Sequence, residues 1–89
     1  MKIETLGHTI NVSMVEESLT AGIARRKARG AAYLEAAVSV TCQACGAFVH
    51  YEQENEGPIT LVGVHLMDDA GDIIPWKNYV PTMGICKAN

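Results

Sequence analysis

Apolar residues recur in two rhythms along these 89 residues. Val15, Leu19 and Ile23 repeat every four positions, flanked by Ala24 and Ala28 and continued by the aliphatic stem of Arg26. That spacing predicts an amphipathic helix over 14–29. Ser13-Met14-Val15-Glu16 fits a capping box at its start, the Ser13 hydroxyl and the Glu16 carboxylate each accepting from the other's backbone N–H. Glu16 and Glu17 in the first turn, and Arg25, Arg26, Lys27 and Arg29 in the last, complement the helix dipole. Gly30 offers a stop, although the helix formers of Ala31-Ala32-Tyr33-Leu34-Glu35-Ala36 allow an extension beyond it.

Elsewhere the period is two. Ile3 and Thr5, then Thr9 through Val15, alternate around Leu6-Gly7-His8, which predicts an amino-terminal hairpin. From Ala37, Val38 and Val40 point one way and Ser39 and Thr41 the other. Ala47, Val49 and Tyr51 then alternate with Phe48, His50 and Glu52. Between these two strands lies Cys42-Gln43-Ala44-Cys45-Gly46. Gln53 to Pro58 reads as a polar loop with a Gly-Pro break. Ile59 to Met67 is an almost continuous apolar run suited to a central strand. After a turn at Asp68-Asp69-Ala70-Gly71-Asp72, Pro75 and Pro81 demote Ile73 to Val80 to an edge strand or extended arm. The expected architecture is α+β: a single domain over 1–89, with an antiparallel sheet of four to five strands, one helix packed on a face, and a C-x-x-C-G turn between two strands.

Composition sharpens this picture. Hydrophobic residues at 48% and charged residues at 19% belong to a folded chain. The aromatics are few: Phe48, Trp76, Tyr33, Tyr51 and Tyr79. A small aliphatic core is marginal, so a structural metal or homo-oligomerisation is an expected source of stability. The net charge of −3 argues against a general nucleic-acid binder. It hides a local excess, because four of the seven basic residues fall between Arg25 and Arg29. No stretch has the length of a membrane span, and Met1-Lys2-Ile3-Glu4 does not begin as a signal peptide does. Three cysteines without a secretion signal do not make a disulfide framework, so a cytoplasmic, reducing setting is expected.

In that setting Cys42 and Cys45 are candidates for metal binding. Two sulfurs three positions apart at a glycine-ended turn can converge on one ion, with the turn's N–H groups donating to them. Cys42-Gln43-Ala44-Cys45-Gly46, leading into Ala47-Phe48-Val49-His50-Tyr51, resembles the knuckle of zinc-ribbon domains. Those domains bring a second C-x-x-C, whereas this chain has Cys86-Lys87-Ala88-Asn89. A four-ligand structural zinc site therefore requires Cys42, Cys45, Cys86 and one histidine. His8, His50 and His65 compete for the fourth place, and His65 is slightly preferred. The same two thiols suit a redox pair, but that chemistry uses a helix amino terminus after the first cysteine, and here the motif lies between strands. Plain burial of small apolar cysteines is the third reading.

The basic run at Arg25, Arg26, Lys27 and Arg29 is either a solvated helix end or a contact patch for phosphates or an acidic surface. Asp68, Asp69 and Asp72 lack the register of a calcium loop. Trp76, beside Pro75, is a core residue or a partner anchor. No nucleophile elbow, phosphate loop or HExxH motif is present. The expectation is a non-enzymatic interaction or regulatory domain that binds a protein partner and no membrane. In composition such a compact acidic chain is similar to phage and mobile-element inhibitors, for instance anti-CRISPR proteins. A zinc-ribbon-like nucleic-acid-binding module using the basic run is the alternative, and a C-x-x-C thiol oxidoreductase the third.

Overall fold

The computed structural model describes residues 3–65 and 84–86. Their elements are one helix, α1 (Val12–Ala28), followed by three strands, β1 (Glu35–Thr41), β2 (Phe48–Glu54) and β3 (Thr60–His65). The strands form an antiparallel sheet in the order β1-β2-β3. The expected arm at 73–80 lies outside the described residues. Among those residues the sheet has three strands rather than four to five, and β2, not the Ile59–Met67 run, is the central one.

Val15, Leu19 and Ile23 are the buried face of α1. Each buried side chain of this kind stabilises the fold by about 1.5–3 kcal/mol. They meet the buried alternate positions of the sheet: Ala36 and Val40 on β1, Val49 and Tyr51 on β2, Leu61 and Val64 on β3.

The helix begins two residues earlier than its apolar stripe suggests, and the expected capping box does not form. Asn11 is the cap: its side-chain oxygen accepts from the N–H of Met14 at 3.0 Å, which places Ser13 inside the first turn. Asn caps as well as Ser does, so the earlier residue takes the role. The helix ends in a Schellman turn, with Gly30 at φ 72°. Gly30 N–H donates to Lys27 O and Ala31 N–H to Arg26 O, both at 3.1 Å. That closure, rather than the helix propensity of 31–36, decides the boundary, and Glu35 opens β1 instead.

The amino-terminal hairpin is also absent. Residues 3–11 carry no strand and form a strap across the core. Ile3 is buried, and the Tyr51 hydroxyl donates to Glu4 O at 2.6 Å. Burial first, and the Glu4 carboxylate second, push the Tyr51 phenol up to about 12.

Gly22 sets how closely the helix approaches the sheet. A Cβ at that position would lie 3.0 Å from Ala36 Cβ, a strand atom that cannot rotate away. Gly22→Ala is therefore expected to destabilise the protein by about 1–3 kcal/mol through overpacking. The gain in helix propensity, about 1 kcal/mol, offsets part of this. A thermal melt unchanged or raised in the variant would contradict the close approach.

Among the described residues no helix is long and apolar enough to cross a membrane.

Candidate metal centre

Residues 42–46 join β1 to β2. Cys42 N–H donates to Ala47 O at 2.7 Å and Gly46 N–H to Cys42 O at 2.9 Å, with Gly46 at φ 79°. This tight return sets Cys42 in the buried layer and leaves Cys45 exposed. The strap is laced to it in both directions. Gln43 N–H donates to Thr9 O at 3.0 Å, and Thr9 N–H donates to the Cys42 sulfur at 3.3 Å. Residues 84–86 arrive on the strap's other side, where Cys86 N–H donates to Leu6 O at 3.1 Å.

Three distant stretches thereby meet at one point. His8, Cys42, Cys45 and Cys86 each offer a ligand atom, and these atoms all lie within 4.8 Å of one another. Cys42 Sγ and Cys86 Sγ are 3.7 Å apart, and Cys45 Sγ is 3.5 Å from His8 Nδ1. No disulfide joins the three cysteines. His8, Cys42 and Cys86 are buried.

The orientation of His8 follows from its partner. Its Nε2 lies 2.7 Å from Gly84 O. A carbonyl can only accept, so Nε2 carries the proton, and in the neutral ring Nδ1 keeps its lone pair toward the sulfurs. Metal-binding histidines are oriented by outer hydrogen bonds of this kind. Burial acts to raise the Cys42 pKa, but the N–H groups of Cys45, Thr9 and Ala44 act against it and shift the thiol below its usual range. These surroundings favour the thiolate, the form that ligates a metal.

Of the ligands expected from the sequence, Cys42, Cys45 and Cys86 are brought together and His65 is not. Thr41, just before Cys42, pairs with Phe48, and Phe48 pairs with His65. Two strand spacings, about 10 Å, thus separate His65 from the end of β1. His50 is engaged on the sheet with Ser39 Oγ at 2.6 Å and Glu52 at 3.8 Å. His8 takes the fourth place because the strap, unlike the strands, crosses directly over residues 42–46. Its signal in the sequence was slight, a histidine in a Leu6-Gly7-His8 turn.

The basic run divides. Arg25, Arg26 and Arg29 line a groove of 250 Å³ with Ser18, Gly22, Ala36 and Ala37. Lys27 faces the opposite flank of α1, beside Gln53 and Glu56. Trp76 lies outside the described residues.

No known protein family, curated protein or solved structure matches this chain. The fold and the site define an α+β domain carrying a Cys3His cluster able to bind a metal.

Proposed function

We propose that this protein is a small non-enzymatic binding domain, held together by one structural zinc ion and acting on a protein partner. The observation that carries the reading is the separation of the four donors. Zn–S bonds of about 2.3 Å and Zn–N bonds of about 2.0–2.1 Å give tetrahedral edges of about 3.8 Å between sulfurs and about 3.5 Å between sulfur and nitrogen. The Cys42–Cys86 and Cys45–His8 separations of 3.7 and 3.5 Å lie close to both values. Three thiolates and one imidazole favour zinc over the harder divalent cations, which prefer oxygen. Four protein donors fill a tetrahedral shell, whereas a catalytic zinc keeps one position for water or substrate. The ion would tie residues 3–11 and 84–86 to the β1–β2 connection, supplying the stability that an aliphatic core of this size lacks.

Protein purified without added metal should contain about one zinc per chain. Replacement by Co(II) should give the visible spectrum of a four-coordinate, thiolate-rich ion that azide does not alter. A metal-free protein whose melting is indifferent to chelator would end the structural-zinc reading. An azide-sensitive cobalt spectrum would mean an open coordination position and a catalytic site instead.

A further inference from the structure

The two flanks of α1 differ. On one, Lys27 faces Gln53 of β2 and Glu56 in the loop beyond it. On the other, Ser18, Gly22, Arg25, Arg26 and Arg29 overhang β1 alone, above Ala36 and Ala37. β1 pairs only with β2 among the described residues, so this second groove runs along its open edge. We propose that the groove receives an extended acidic segment of a partner protein, added as a strand to β1 with its carboxylates against Arg25, Arg26 and Arg29. The inference rests on the reading that the partner is a protein, and it adds the surface and the partner's chemistry.

Three observations support it. The floor is made of small residues, Gly22, Ala36 and Ala37. The Arg25 guanidinium, on an exposed side chain, lies with one nitrogen 3.9 Å from where a Gly22 Cβ would stand, so its charge borders the floor. Spacing also fits. Four helical residues, Arg25 to Arg29, rise about 6 Å. Alternate residues of a strand, which share a face, are about 6.5–7 Å apart. Two carboxylates on one face of an added strand therefore meet two arginines.

The third observation is charge. Among the described residues no carboxylate lines the groove and none forms an ion pair with these arginines. The guanidinium fork suits carboxylate and phosphate alike, and the backbone edge chooses between them. Among the described residues β1 is unpaired on this side, it contains no Pro or Lys, its one charged residue is Glu35 at its start, and the one register shift lies between β2 and β3. An open edge takes main-chain hydrogen bonds from a peptide, with side chains setting specificity. A nucleic-acid strand would gain nothing from it, and among the described residues no aromatic side chain lines the groove for bases to stack on.

The test is a titration of the full chain, as purified, with a fluorescein-labelled peptide alternating Glu and Val, followed by anisotropy and by backbone amide shifts. Binding should weaken with salt, and the shifts should fall on β1 and on the Ser18–Arg29 flank. A peptide alternating Lys and Val should not bind. The double variant R25E/R29E should lose at least tenfold in affinity at unchanged melting temperature, while R25K/R29K keeps most of it. No binding, or shifts confined elsewhere, would overturn the proposal. So would preferential binding of a single-stranded oligonucleotide, or self-association of the chain through β1. Failure with zinc still bound removes the groove and leaves the metal-centred reading standing, whereas loss of zinc bears on that reading alone.

Discussion

Cys86→Ser is expected to weaken metal binding and to remove a large part of the protein's stability. The Cys86 sulfur is buried and lies 3.7 Å from Cys42, while its backbone holds Leu6. Serine supplies a neutral oxygen that ligates zinc poorly, and Cys42 then stands as a buried thiolate without its counter-ion. Structural zinc sites are worth about 10–16 kcal/mol in all, so one ligand of four carries on the order of 3 kcal/mol. A domain this small has about 5–15 kcal/mol of total stability. The melting temperature should fall by about 10 °C or more, at about 4–8 °C per kcal/mol. Chelator, which removes the whole site, should lower the melting of the unaltered protein further still. A Cys86→Ser protein that retains one zinc at unchanged melting would contradict the ligand set.

The second large effect separates the histidines. His8→Ala removes both the nitrogen donor and the bond that Nε2 makes to Gly84 O, while the Cys86 N–H to Leu6 O bond still ties the strap to residues 84–86. A loss of about 3 kcal/mol is about 100-fold in affinity. Competition with a chromophoric chelator should register it directly. His65→Ala and His50→Ala should leave zinc affinity within a fewfold of the original, because neither ring belongs to the cluster. Weakened binding in His65→Ala, with His8→Ala unaffected, would reverse the assignment.

What the sequence made legible depended on range. Val15, Leu19 and Ile23 declared their face because the contacts that bury them follow from a local period. The alternation through Val40, Val49 and Tyr51 did the same for the sheet. Asn11 and Ser13 could not be ranked as caps by type alone, since both accept the same hydrogen bond and the choice depends on how the preceding strap enters. The strap itself was misread. Ile3 and Thr5 alternate as a strand would, yet the strap they belong to is bonded through Glu4 to Tyr51 and through Leu6 and His8 to residues 84–86, which no local window contains. The fourth ligand failed for the same reason. Cysteines three apart are visible as a pair, whereas His8 joins them only through the path that residues 3–11 take over the knuckle. The arginines read as one patch, but consecutive helical residues face different sides, and Lys27 parted from Arg25, Arg26 and Arg29.

His8 and the carbonyl it grips are 76 positions apart. Closing so long a loop before any metal is captured costs entropy that nearby contacts do not repay. Helix and hairpins, whose contacts are close in sequence, can form earlier and more quickly. A shell of His8, Cys42, Cys45 and Cys86 would be complete only when residue 86 is present, and on a ribosome that residue emerges after every described helix and strand has been synthesised. Metal capture would then be a late step that fastens a helix and sheet already formed, and a chain truncated before Cys86 would lack the clasp.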